Sequence, residues 1–509
     1  MNLQLLCKRT EFACVGRLPQ SSRTLGRSAG GERGRDRREV WWWGACALAA
    51  LGLALFTSLV PHRTWGLLAA TGYGCAAVAV ALRARRRRTP RAPAGTARLP
   101  AVIAVAGAVV APLVLLILTG RGQLEVAVVE RAGELLLNSG SPYLSAPATV
   151  ADYNPYLPGM AAFGLPRAMF GDGPLTDARW WMAATFLLSI GGAVTVLCRG
   201  RGRADEPDGR SRRAPACGRD GVPVLLWLAA CPLVALPLAV GGIDLPVIGL
   251  MCWALAMAGR GKAVGAGLLL GAAAALKWTA WPAVPVVVAL MAARYGRRKA
   301  LSCGAATVVT VTAAVVPFLL TAPGAFAENV LAFPLGLATT ASPAESPLPG
   351  RLLAAYVPGG ALVAMVLLSI AALGVAASLL IRPPRTVHAA ADRLALGLAL
   401  AMALMPATRF GYLVYPLVLW AWPRLTAQAT AGSPTVAPGR VPQLPCGRRP
   451  LTQPSPGEPV RDADHAEAKQ AAPEASPVHP DSGRVDPGRG QPSTGSGWQG
   501  TPSRKEAAP

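Results

Sequence analysis

The chain has 509 residues, of which 52% are hydrophobic and only 15% charged, with a mean hydropathy of +0.38. That excludes an ordinary soluble domain, whose charged share is about 25%. The net charge of +24 does not indicate nucleic acid either. It is concentrated in blocks such as "RARRRRTPR" (83–91), "RGRGRADEPDGRSRR" (199–213) and "RYGRRK" (294–299), with no nucleic-acid module or aromatic-interleaved groove beside them, so it reports membrane topology and contact with anionic lipids.

Residues 1–40 form a polar, Arg-rich arm that reads as disordered, with no removable signal peptide. Charge-free apolar runs long enough to cross a bilayer follow at 41–60, 65–82, 99–119, 180–198, 222–240, 301–320 and 358–381. Starting inside and crossing at each run places every basic block on the cytoplasmic side and leaves the turns 60–64, 120–179, 241–246, 321–357 and 407–412 outside. The stretch 263–293 has "GRGK" before it and "RYGRRK" after it, and both flanks belong inside. A single helix cannot satisfy that, so the pattern predicts a break at "KWTAWP" (277–282), between two pieces of about 14 residues, each spanning about 21 Å. Helices that short are tolerated only where they face a protein-lined cavity.

The expected fold is all-α: a polytopic transmembrane bundle of about 12 helices, with amphipathic helices in the first long extracytoplasmic loop and both termini cytoplasmic. The expected divisions are the arm 1–40, a transmembrane hairpin and basic loop 41–98, a core 99–423 carrying the loop 120–179, and a Pro/Gly/Ser-rich disordered tail 424–509. The plasma membrane is the expected location.

Within the first long loop, 122–144 carries apolar residues at Leu124, Val128, Leu135 and Leu136 and carboxylates at Glu125, Glu130 and Glu134, the pattern of an amphipathic helix on a membrane surface. Taken singly, each glutamate reads as a solvated face. The ten cysteines include no CxxC pair, and the four histidines (His62, His388, His465, His479) are far apart, so neither a disulfide framework nor a zinc-type metal site is expected. Lys277 lies within an apolar stretch, where an interfacial lysine can simply snorkel, and Arg409 sits on an external turn against the positive-inside trend.

Read as an ordered series, Glu125, Ala132-Gly133, "SGSPY" ending at Tyr143, "YNPYLP" (153–158), "GGIDLP" (241–246), "KWTAWP" and "RFGYLVYP" (409–416) resemble the GT-C superfamily of membrane glycosyltransferases. The resemblance is greatest to glycosyltransferase family 87, the polyprenol-phosphate-mannose-dependent mannosyltransferases, with Glu125 where that family usually has aspartate. It covers roughly residues 100–423, leaving the first two helices as an added hairpin. It implies a polyprenyl-phosphate sugar donor, a glycan or glycolipid acceptor and a reaction at the extracytoplasmic face.

A sugar on a lipid phosphate already has its leaving group, so an enzyme must deprotonate an acceptor hydroxyl and steady the departing anion. Glu125 is the expected base, with Glu130 as the alternative, and Lys277 and Arg409 are the expected phosphate ligands. Asp244 would orient acceptor hydroxyls or cap a helix beside Gly241-Gly242. Tyr143, Tyr153, Asn154 and Tyr156 would stack on and hydrogen-bond a sugar, the tyrosines having an aromatic belt as their plain alternative. Asp177 and Arg179 read as a structural cap and anchor. No nucleotide-sugar fold, Gly-rich phosphate loop or paired-Asp metal motif is present, so no cofactor or metal is expected. The competing class is a transporter or flippase of lipid-linked sugars, which would use the same cations and aromatics without a base; a scaffold would leave the ordered polar series unexplained.

Overall fold

Backbone amides removed from water must pair within their own segment, which makes helices of the apolar runs. The computed structural model describes residues 23–86, 98–198, 217–340 and 344–431, all within the unit Met1–Val436, and every extended regular element among them is helical. Helices α1 (Arg23–Phe56) and α2 (Val60–Arg86) form a hairpin. Then α3 (Leu99–Val105) and α4 (Ala111–Leu118) make one span through a π-turn at Ala106–Val110. After them come α5 (Leu124–Ser139), the short α6 (Leu165–Phe170), α7 (Ala178–Cys198), α8 (Cys217–Ala230) and α9 (Pro232–Val240). The central part comprises α10 (Asp244–Gly259), α11 (Ala263–Leu276), α12 (Ala283–Tyr295) and α13 (Arg297–Thr321). The last third holds α14 (Pro323–Phe326), α15 (Pro349–Tyr356), α16 (Gly360–Ile381), α17 (Val387–Leu404) and α18 (Val414–Ala431).

The core is centred on α10, which is buried along nearly its whole length and packs against α7, α11, α17 and α18. Small residues set these distances. A Cβ on Gly249 of α10 would lie 3.1 Å from the Phe186 backbone of α7, and one on Gly267 of α11 would lie 2.3 Å from the Cys303 carbonyl of α13. Such glycines let helix backbones touch, which gives contact area where lipid offers no hydrophobic drive. The hairpin is fastened in the same way, since Gly72 of α2 meets Gly107 in the π-turn so closely that a Cβ on either would strike the other's Cα. Trp65 donates to the Ala108 carbonyl (2.7 Å), Tyr73 donates to that of Ala230 (2.8 Å), and Trp43 stacks on Trp227.

Several expectations change. Among the described residues, seven helices are long and apolar enough to cross a membrane, or eight if the bent pair α8–α9 is one span, which does not reach the expected count of about twelve. The expected straight span over 222–240 is bent by 79°. Pro232 is the cause, because it excludes helical geometry at the preceding Cys231, which is extended (φ −64°, ψ 127°). The N-terminal arm is helical from Arg23 onward, and Asp36 and Glu39 within it accept an ion pair from Arg83 of α2 at 3.1 and 2.6 Å. At the other end α18 runs past Pro423 to Ala431, because Trp422 and Thr426 are buried and Arg424 forks onto Asp392 of α17 (2.6 and 3.0 Å). The remaining tail, like residues 1–22, lies outside the described residues.

The break at 277–282 is present. Helix α11 stops at Leu276, Lys277 is fully extended (φ −158°, ψ 145°), and α12 begins at Ala283. The helix expected at 122–144 also forms, as α5; Val128 of its apolar stripe is buried together with Val126, Val129, Ala132 and Gly133, while Leu124, Leu135 and Leu136 are not. The small pair explains the difference: Gly133 lies against the backbone of Gly164, where a Cβ would come within 2.4 Å of its carbonyl carbon.

Candidate active site

The elements expected on one side of the membrane touch one another. The loop 140–157 meets the segment after α13, the segment around Glu345 pairs as an isolated bridge with Thr408, and the start of α5 meets the turn at Arg409. These contacts enclose a cavity of about 810 Å³ lined by Glu125, Tyr156, Asp244, Lys277, Arg409 and Tyr412, among others.

Each charged group is placed by a local feature of the chain. Glu125 stands in the first turn of α5, where the helix dipole favours a negative charge. The start of α5 is held by the Arg179 guanidinium, which donates to the Arg121 carbonyl (2.9 Å) and is gripped on its other edge by Asp177 (2.8 and 2.6 Å). Gly241, which ends α9 in the left-handed region (φ 104°), leaves room there, since a Cβ would lie 2.2 Å from Val126. Asp177 and Arg179 thus do the structural work expected of them.

Lys277 owes its position to the broken helix. Ending α11 in the interior frees carbonyls that need donors. The Leu157 amide donates to the Leu276 carbonyl (3.1 Å), the Trp281 indole donates to that of Ala274 (3.1 Å), and Gly159 packs on the Ala275 backbone. The tyrosine- and proline-rich loop at 153–158 therefore closes the open end of α11.

The four charges form two pairs across the cavity. Arg409 is hydrogen-bonded to Glu125, and Lys277 Nζ donates to Asp244 Oδ1 at 2.6 Å. Tyr415 donates to the same Asp244 oxygen (2.8 Å). Asp244 opens α10 but makes no side-chain cap, so pairing rather than capping is its role here. Lys277 also lies 4.9 Å from the Tyr412 ring centre and 5.6 Å from that of Tyr156, within cation–π range. Burial, and next the Glu125 carboxylate, push the Tyr156 phenol well above its ordinary value, so it stays a neutral donor.

The other expected site residues lie apart. Tyr143, Tyr153 and Asn154 are buried, with their polar atoms already engaged. Tyr143 donates to the Tyr156 carbonyl (2.9 Å). Tyr153 stacks on Phe333 (4.2 Å between ring centres) and donates to Glu328. Asn154 donates to the Pro142 carbonyl (3.1 Å) and its backbone amide donates to the Asn329 side chain (2.8 Å). They brace the loop and do not line the cavity. Glu130 faces a different hollow, where it accepts from the Ala178 amide at the start of α7 (3.1 Å) and pairs with Arg167 (3.3 Å).

Sequence reasoning missed Tyr412, Tyr415, Gln123 and His62. The two tyrosines had a signal, since "RFGYLVYP" places aromatics three and six residues after Arg409. His62 had a weaker one, a histidine in a tight turn on the same expected side as Glu125.

A helical bundle apolar enough to sit in a membrane, with paired acids and bases in one inner cavity, is the framework of a polytopic membrane enzyme. A model of glycosyltransferase family 87 matches residues 154–432, more than half of the chain, and the chain belongs to that family of membrane glycosyltransferases, consistent with the GT-C type. No curated protein and no solved structure matches it. The match includes Tyr156, Asp244, Lys277 and Arg409; Glu125 lies before it, and the fold brings Glu125 to the same cavity.

Proposed function

We propose that the protein transfers a sugar, mannose in our reading, from a polyprenyl-phosphate donor to a hydroxyl of a glycan or glycolipid at the extracytoplasmic face of the plasma membrane, with inversion. One observation carries this reading: two carboxylate–cation pairs, Glu125 with Arg409 and Asp244 with Lys277, share a single cavity that also has apolar wall, including Leu53, Leu233, Leu236 and Pro237. That composition suits an amphiphile with a phosphate head.

The ligand-free pairing supplies a sequence of events. Arriving phosphate competes with Glu125 for Arg409 and with Asp244 for Lys277. A carboxylate that loses its cation is a stronger base, so donor binding arms Glu125. The acceptor oxygen then bonds to the anomeric carbon as its proton passes to Glu125, while the carbon–oxygen bond to phosphate breaks and the lipid phosphate leaves with both electrons. Lys277 and Arg409 take up the charge that develops on the leaving oxygen. Asp244, held by Tyr415 and Lys277, orients the acceptor or fixes Lys277, and Tyr156 and Tyr412 give the sugar its aromatic wall.

The test is reconstitution in vesicles with radiolabelled polyprenyl-phosphate mannose and a glycolipid acceptor. The expected product is a mannosylated acceptor of opposite anomeric configuration. Transfer from a nucleotide sugar alone would reject the donor, and movement of the labelled lipid between leaflets without transfer would replace the enzyme with a flippase.

A further inference from the structure

The hairpin α1–α2 lies outside the family match, yet it closes one side of the cavity with Leu53, Thr57, Leu59, Pro61 and His62. Its packing on α4, the π-turn and α8 fixes it there, through the Gly72–Gly107 contact and the bonds of Trp65 and Tyr73 described above. His62 meets Gln123, the two side-chain nitrogens lying 3.1 Å apart. An amide nitrogen only donates, so the ring Nε2 accepts and the ring proton sits on Nδ1. That Nδ1 is buried and has no partner.

Gln123 is the residue at which the chain turns into α5. It is extended (φ −73°, ψ 157°), its amide donates to the Val240 carbonyl (3.4 Å), and the first helical turn after it carries Glu125. We propose that His62 is a positioning residue of the transfer reaction: by holding Gln123 it sets the angle at which Glu125 enters the cavity, so the hairpin outside the family domain is part of the working site. This rests on the reading of Glu125 as the base. A base displaced by a fraction of an ångström loses rate without losing substrate, because donor binding is carried by Lys277 and Arg409 on other elements.

The experiment compares His62→Leu, His62→Gln, Gln123→Leu and the double variant His62→Leu/Gln123→Leu in the full chain, with donor and acceptor varied separately. Arg63→Ala, an exposed neighbour outside the cavity, is the control. We expect His62→Leu to lower kcat about tenfold with the donor KM changed less than about twofold. His62→Gln, which returns a polar group near the Nε2 position, should recover to within about threefold of wild type, and the double variant should be no slower than the slower single one. Unchanged kcat in a folded His62→Leu protein, or a double variant whose loss is the product of the two single losses, would overturn the proposal. Should His62→Leu fail to fold, Gln123→Leu probes the contact from the other side and His62→Gln probes it without removing the polar group; wild-type kcat in both decides against it. An active wild type with a slow Glu125→Gln and a full-rate His62→Leu would reject His62 alone, whereas transfer at wild-type rate in Glu125→Gln would reject the base itself.

Discussion

Helix α5 carries two glutamates into two cavities, and the pair shows what separates a fold-building charge from a working one. Around Glu130, in a hollow of about 540 Å³, the acids and bases pair with one another and also tie down backbone groups at helix ends. Glu130 accepts from the Ala178 amide, Asp177 accepts from that of Arg179, and Arg179 donates to the Arg121 carbonyl. Those groups cannot change partners without loosening the ends of α5 and α7. Around Glu125 the charges meet side chain to side chain, across the start of α5, the start of α10, the break after α11 and the turn before α18. In the reading proposed above, a phosphate replaces either carboxylate there and leaves every helix end intact.

The most severe way to probe this contrast is Glu125→Gln, for which we expect a kcat at least about a hundredfold lower with the fold unchanged. The corresponding Glu130→Gln should stay within about threefold of wild type in kcat. Equal losses at the two positions would erase the distinction.

Next comes Lys277→Ala, which should weaken donor binding and also leave the half-buried Asp244 without its cation, a loss of about 1–3 kcal/mol of stability. Adding Asp244→Asn should restore most of the melting temperature but not the donor affinity. Recovery of both would mean that Lys277 serves only the fold. Asn154→Leu should cost about 1–3 kcal/mol by orphaning the Pro142 carbonyl and the Tyr156 amide, with donor and acceptor KM unaltered; a selective change in acceptor KM would return Asn154 to the sugar site.

The smallest expected effect is in pH dependence. Burial holds the Glu130 carboxyl above the usual carboxylate range, partly offset by the Ala178 amide. A folded-state value above the unfolded one adds stability that is fully present below the unfolded value and is lost as pH rises through the folded one. Melting curves across the carboxylate range should therefore show Glu130→Gln gaining on wild type as pH increases. A constant gap would count against the burial.

The site was legible where membrane physics makes polarity expensive. The break at Lys277 followed from two basic flanks that belong on one side, and Asp244, Lys277 and Arg409 stood out because a charge near hydrocarbon requires a reason. Pairing was not legible. Nothing in the sequence says that Tyr153 will stack on Phe333 or that Asn154 will clasp Asn329, residues some 175 positions away. The protein-facing side of α5 was only partly legible, because the pattern counts large side chains such as Val128, whereas Ala132 and Gly133 are buried for their smallness. His62 was overlooked because the hairpin read as an addition, although its glycines lock it against the core. The expected count of about twelve included α10, α11 and α12, which at 16, 14 and 13 residues are too short to count as spans by length.

Centrally, Glu125 is proposed to deprotonate the acceptor beside a donor whose phosphate Lys277 holds in the same cavity. Equilibrium titration of radiolabelled polyprenyl-phosphate mannose into transfer-dead Glu125→Gln and into Lys277→Ala addresses it most directly. The account predicts wild-type or tighter affinity in the first, because Arg409 is released from its carboxylate, and affinity at least about tenfold weaker in the second. Loss of donor binding in Glu125→Gln together with full binding in Lys277→Ala would contradict it.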